Sequence, residues 1–364
     1  MSDSRNQVLS ILSGLLELQS AKDAVYPDGV FPSQRYHPLL PYKREDDNLF
    51  YTASIVHLIQ GVKKKLSAEE SILADQIIDS AVAVYPLFKN KDGLDTYNFW
   101  QTSPSRHFPN GMLMHRFKHF QIPDDVDDTA LVLLTEDASK ERVATLREKL
   151  KQHANLAKKR AFNPLKKYRD LKCYSTFFGE KMYIEFDVCV LSNLMRVILP
   201  HFMTDLDEYD QATLEFICSG IEADEHISLP FYSAPNYPTT DLILYHVSRL
   251  LPMLPEPYLN RIESKVKSDI LNRIEASTGL NRILLESSAM KLGLKIDLRP
   301  IDVKASENDE SFFFFHAGMI TAFENTVAQK LADNPFFHLR YTSKALNRAL
   351  LLENLVLRRS ISTS

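Results

Sequence analysis

Apolar residues recur at three- and four-residue spacing over most of this chain, the period of a helix with one buried face. That spacing predicts about twelve helices, over 5–20, 47–62, 67–85, 126–136, 139–158, 185–199, 206–222, 239–252, 256–276, 280–293, 311–332 and 341–358. Turn signals of the Asn-Gly kind between alternating runs are nearly missing, and 364 residues contain only 10 glycines. The fold class expected is therefore all-α. Local punctuation agrees with it: Ser67-Ala-Glu-Glu and Ser139-Lys-Glu-Arg read as N-terminal caps, and Pro86, Pro200 and Pro252 are expected to stop the helices before them.

Two kinds of helix alternate. Segments such as 141–158 and 256–275 carry a narrow apolar stripe on a charged helix and belong outside, whereas 129–134, 188–199 and 242–251 are apolar on most sides and belong inside. About six outer and inner pairs, at roughly 60 residues each, are an array signature. They predict an (α/α)6 toroid occupying residues 1–364 as one domain. Long connections at 86–124, 159–184, 223–238 and 294–310 precede inner helices, so they should collect on one face, together with the positive ends of those helices.

Composition narrows the partners. With 45% hydrophobic and 25% charged residues and a net charge of −4, the chain reads as an ordinary soluble protein with no basic excess for nucleic acid. It has no run of about 18 apolar residues. No membrane span is expected, and peripheral membrane contact stays open. The amphipathic start at Val8–Leu18 does not read as a signal peptide. Cys173, Cys189 and Cys218 are widely spaced and lack a CxxC pair, which fits a reducing cytoplasm and neither a disulfide framework nor a thiolate metal site.

The chemistry concentrates at 122–136, where Asp124, Asp125, Asp127 and Asp128 crowd just ahead of an apolar helix. Asp47, Glu185 with Asp187, and Asp241 repeat the plan of acid first and apolar helix second. The stretch Asp125-Val-Asp-Asp128-Thr-Ala resembles the DxDD motif of class II terpenoid cyclases, in the form seen in the squalene-hopene cyclase family, whose α/α toroids match the architecture expected here. The resemblance implies that Asp127 protonates an alkene or epoxide, with Asp125 and Asp128 orienting it, and that the substrate is an apolar, polyprenyl-like molecule. So weak a base accepts a proton only where water is excluded and aromatic faces stabilise the cation. Phe99, Trp100, Tyr174, Phe177, Tyr232 and Tyr237 on the loop face are the expected lining, with Phe312–Phe315 beside them and His107, Asp187 and Asp241 at the mouth. No cofactor and no metal is called for.

Other readings of the same residues stand beside this one. Asp125, Asp127 and Asp128 could simply cap a helix, as Asp47, Asp187 and Asp241 appear placed to do. The protein would then be a non-catalytic toroid that binds an apolar ligand or a partner protein. Alternatively, Asp127 with Asp187, Glu185 or Asp241 could act as the acid and base of a glycan-acting enzyme. His115 and His119 have the i, i+4 spacing of two zinc ligands, but without the rest of a ligand set they read as surface or structural histidines. The basic stretch 158–169, with Lys172, could hold a diphosphate at the rim or be a solvated loop.

Overall fold

The computed structural model describes residues 2–19, 25–90, 95–179, 182–320 and 326–362. It is mostly helical, with eleven long helices: α1 (Ser2–Gln19), α2 (Leu49–Val62), α3 (Ala68–Val82), α4 (Val126–Thr135), α5 (Lys140–Gln152), α6 (Val188–Phe202), α7 (Glu208–Glu222), α8 (Thr240–Leu250), α9 (Glu256–Ala276), α10 (Gly279–Lys291) and α11 (Lys344–Ser362). Helix α9 buries Ile262, Val266, Ile270 and Ile274, a single stripe at four-residue spacing. The rest of it is partly or fully exposed, with Tyr258 and Leu259 leaning on the core. Helix α4 buries every residue except Leu134, and α6 buries all but Arg196, Pro200 and His201. Such helices can be satisfied only by neighbours on most sides.

Those neighbours follow a circuit. Helix α2 packs on α4, α4 on α6, α6 on α8, α8 on α10, α10 on α11, and α11 returns to α2. The amphipathic helices lie against this set: α1 on α3 and α11, α3 on α2, α5 and α7 on α6, and α9 on α7, α8 and α10. Ala68–Phe88 has the length and the mean hydropathy, 1.3, of a membrane-crossing helix. Its helical part nevertheless buries Ala74, Ile77, Ile78 and Ala81 in the protein and pairs Glu70 with Arg359 of α11.

Caps and stops mostly follow the local signals. Ser67 accepts from the Glu70 amide while Glu70 accepts from the Ser67 amide at 2.7 Å, a complete capping box, and Ser139 caps α5. Asp187 caps α6 through the amides of Cys189 and Val190. At α2 and α8 the caps are Asn48 and Thr239, not Asp47 and Asp241. Helix α6 also runs through Pro200 to Phe202. Proline there forfeits one hydrogen bond close to the helix end, where little remains to be broken.

A larger correction is a four-stranded antiparallel sheet in the order β2-β1-β4-β3, made of β1 (Ser33–Tyr36), β2 (Lys43–Asp46), β3 (Phe315–Gly318) and β4 (His338–Thr342). The helix expected over 311–332 is therefore replaced by β3 and a short helix, Thr326–Leu331, while 321–325 lie outside the described residues. A run of consecutive aromatics fits either period, and pairing of Phe315 with Tyr341 on β4 decides it. The strands occupy the connections that enter α2 and α11, so the sheet joins the loops at the starts of the inner helices. Arg35 of β1 and Asp46 of β2 form an ion pair with both side chains fully buried. Arg35 also donates to the Pro109 carbonyl at 2.7 Å, and Asp46 accepts from Asn48 at 2.9 Å and from the Trp100 indole at 3.1 Å. This network fastens the sheet to the 86–124 loop.

Candidate functional site

The site forms where two long loops meet the start of α4. Tyr97, Asp125 and Phe177 lie side by side as antiparallel bridges. The Asp125 amide donates to Tyr97 O at 2.8 Å, Val126 N to Thr176 O at 2.9 Å, and Phe178 N to Asp124 O at 3.1 Å. Asp124 is held by Asn90 and Thr96, with the Lys149 ammonium 3.7 Å away. It serves the loop anchor and stands apart from the other three acids.

Those three acids diverge. Asp125 turns back on its own helix, accepting from the amides of Asp127 at 2.7 Å and Asp128 at 3.2 Å. Asp127 leaves its own helix: it accepts from the Asn193 amide on the neighbouring α6 at 2.9 Å and from the Tyr237 hydroxyl. Asp128 is 1% exposed, and among the described residues neither of its carboxylate oxygens has a hydrogen-bond partner. The capping role seen in sequence thus belongs to Asp125 alone.

Environment separates their protonation. Burial pushes Asp125 up to about 8, with the nearby Asp127 charge adding to it and the two amides it accepts from opposing it. Burial also raises Asp127, but the hydrogen bonds from Tyr237 and Asn193 favour its ionised form. Asp128 is driven well above the usual carboxylate range by burial, then by the charges of Asp125, Asp127 and Asp124, with nothing to stabilise its anion. Asp187 is likewise raised to about 8 by burial. Among the described residues no Lys or Arg forms an ion pair with Asp125, Asp127, Asp128 or Asp187, so no cation opposes the upward push of burial on these acids.

Asp125, Asp127 and Asp128 line a cavity of about 240 Å³ whose remaining wall is largely aromatic. Phe50 comes from α2, Phe99, Trp100 and Phe108 from the 86–124 loop, Phe177 and Tyr183 from the 159–184 loop, and Phe315 and Tyr341 from the sheet. Phe315 and Phe50 stand 5.2 Å apart between centroids, and Phe99 and Phe315 5.7 Å. Tyr237 sits behind this wall, fully buried against Phe50, Phe314 and His246.

The structure sorts the remaining expected residues. Phe99, Trp100 and Phe177 line the cavity. Asp187 lies one layer behind it, accepting from the backbone amide of Asn236, itself a lining residue, at 2.8 Å. Tyr174 does not reach the cavity; it donates to Asp210 of α7 at 2.9 Å. Tyr232 is outside it too, edge-on to Phe231. Asp241 is engaged by Arg273 at 2.6 Å and Ser277 at 3.1 Å. His107 is half-buried off the cavity wall, with neither ring nitrogen partnered. The basic stretch is spent on other contacts: Arg160 with Asp170, Lys167 with Glu225, Lys172 with Glu208, and Lys159 on the Met182 carbonyl. His115 and His119 fall in separate 3-10 turns, Met114–Arg116 and Lys118–Phe120, so they do not share a helix face. Among the described residues no group of three His, Cys, Asp or Glu is placed to hold a metal.

Sequence reasoning missed Asn193, Phe50 and Tyr341. Asn193 and Phe50 sit on helices read as core, and Tyr341 on a segment read as helix. A polar Asn on an otherwise apolar inner helix was the available signal. Comparison with family models, curated proteins and solved structures finds no match for the chain.

Proposed function

We propose that this protein is an (α/α)6 toroid whose pocket carries out a protonation-initiated, class II terpenoid-cyclase-like reaction on an apolar, polyprenyl-like substrate. The circuit of six buried helices with amphipathic helices against them supports the architecture. The observation that carries the function is Asp128, a buried carboxyl without a hydrogen-bond partner at the wall of an aromatic pocket. A carboxyl so placed is held neutral, and its proton is not committed to any protein acceptor.

In the first step the acid gives its proton to one carbon of a substrate double bond. The π pair forms the new C–H bond, the other carbon becomes cationic, and the carboxylate is left behind. Phe50, Phe99, Trp100, Phe177 and Phe315 line the cavity, and ring faces are what stabilises a migrating cation. Ring closure consumes further π pairs, and loss of a proton or capture by water ends the sequence. The resemblance assigns the donor's role to Asp127. The hydrogen bonds favour Asp128, because both partners of Asp127 donate to it and hold it as the anchored anion. The cavity lies at the small end for ligand sites, which favours a substrate shorter than a triterpene.

The loop beside the mouth adds a route for such a substrate. Met112, Leu113 and Phe117 are exposed next to Arg116 and Lys118, and Met114 of the same segment lines the cavity. Apolar side chains flanked by cations suit the surface of an anionic bilayer. The test of the whole reading is incubation of wild type, Asp128→Asn and Asp127→Asn with squalene, oxidosqualene and geranylgeranyl diphosphate, with products identified by gas chromatography and mass spectrometry. Cyclised product from the wild type that Asp128→Asn abolishes supports it. Product from no substrate would leave the ring as a binder of apolar ligands.

A further inference from the structure

Deeper along the inner helices, two to three turns from their starts, lies a second cavity of about 20 Å³, lined by Ser54, His57, Asn193, Arg196, Tyr245 and Arg249, with Phe50 and Phe314 above. Its electrostatics are opposite to those of the acidic site. Arg249 pairs with Glu353 of α11 at 2.7 Å, and Lys291 bonds the same carboxylate. Arg196 has no carboxylate partner among the described residues. One of its terminal nitrogens lies 2.8 Å from His57 Nε2, the other 3.4 Å from Asn193 Oδ1, and its Nε is buried with no partner among the described residues. Arginine has only donors, so His57 must accept through Nε2 and is neutral.

Three cations, Arg196, Arg249 and Lys291, therefore share one nearby carboxylate, Glu353, which only Arg249 and Lys291 bond, while His57 and His246 contribute no compensating negative charge. Lys291 and Arg249 lie in the last turns of α10 and α8, where helix carbonyls offset part of their charge. Arg196 sits in mid-helix and has no such help. Removing an uncompensated charge from water is costly, and a counter-ion is the ordinary remedy. The stress is visible in the groups themselves: burial and the Arg249 charge lower Arg196 to about 10, burial and Arg249 lower Lys291 to about 8, and His57 is held far below its usual range by burial and Arg196.

We propose that the cavity bounded by His57, Arg196 and Arg249 is a binding site for a halide-sized inorganic anion, with the unpartnered Nε of Arg196 as its principal donor. Size selects the class. A cavity of about 20 Å³ holds one or two water-sized bodies. A halide fits; a sulfate or phosphate would have to displace Phe50 or Phe314. Because Arg196 also orients Asn193, which donates to Asp127, the ion would stiffen the framework under the acidic site.

Two measurements test this on the intact chain. The first follows thermal unfolding in sodium chloride, sodium bromide, sodium sulfate and sodium gluconate at matched ionic strength. The expected result is a saturable rise in Tm of roughly 2–5 °C with chloride and bromide and none with gluconate or sulfate, lost in Arg196→Met. The second is an anomalous difference map from crystals grown in sodium bromide, with a peak expected within hydrogen-bond distance of Arg196 Nε. Equal responses to all four salts, or no bromide peak in that cavity, would overturn the proposal. A peak without a saturable rise would mean an adventitious ion only and would overturn it too. If Arg196→Met does not fold, the wild-type salt series and the bromide map still decide.

Discussion

Asn193 on α6 donates its amide to Asp127 on α4 across 2.9 Å, and the Tyr237 hydroxyl takes the other oxygen from a loop 110 residues further along the chain. Both partners are buried, so the carboxylate depends on them for what water would otherwise supply. Tyr237→Phe removes one donor while keeping the ring packed against Phe50 and Phe314. It should cost about 1–3 kcal/mol of stability, measured by chemical denaturation at pH 7. Loss below about 0.5 kcal/mol would mean that Asp127 does not rely on that bond.

Acid protonation should be readable in stability. Asp125 and Asp187 are each raised to about 8, and Asp128 is raised further, so the folded protein binds protons that the unfolded chain, with carboxyls near 4, releases. Between those values these acids hold more protons in the native state, and their contribution to stability falls as pH rises from about 4 to about 8, opposed below about 6.5 by His57, His246 and His316, whose protonated forms burial disfavours. Asp128→Asn cannot ionise and should flatten this decline. The measurement is the difference in denaturation midpoint between wild type and Asp128→Asn, and a difference that stays constant with pH over that window would contradict the assignment.

The Arg35–Asp46 pair gives a sharper structural test. Arg35→Met strands the Asp46 carboxylate in the interior with only Asn48 and Trp100 as donors and should cost about 3–5 kcal/mol. Arg35→Met combined with Asp46→Leu removes both charges and should recover part of that loss. Thermal melts of the two variants make the comparison, and an equal or greater loss in the double variant would show that the pair acts through something other than charge.

Lipid contact by the 112–117 segment predicts sedimentation of the protein with vesicles containing phosphatidylserine. Leu113→Ser with Phe117→Ser should release most of it, and raising salt should weaken the remainder contributed by Arg116 and Lys118. Equal sedimentation of the wild type and the double variant would remove the segment from the substrate's path.

The helical part of the fold was legible because burial imposes a period. Ile262, Val266, Ile270 and Ile274 announce an outer helix, and apolar residues on most sides around Leu191 and Leu194 an inner one. Strand β3 was not legible, since four phenylalanines in a row have no period to read and only the partner strand selects extended backbone. In the site, the acids and Trp100, Phe99 and Phe177 could be located because loop residues near a charged motif share its end of the molecule. Asn193 and Tyr237 could not be tied to Asp127, because their approach depends on how far each inner helix is rotated. Tyr174 and Asp241 were drawn elsewhere by Asp210 and Arg273, competitors that a linear reading cannot see.

The return of α11 to α2 bears on how the protein comes into being. Residues 49–62 find one of their two flanking helices only after residues 344–362 have been synthesised. Until then a nascent chain leaves part of the apolar surface of 49–62 uncovered. The acidic pocket, walled in part by Leu339 and Tyr341, is likewise completed only by the last stretch of chain to be made.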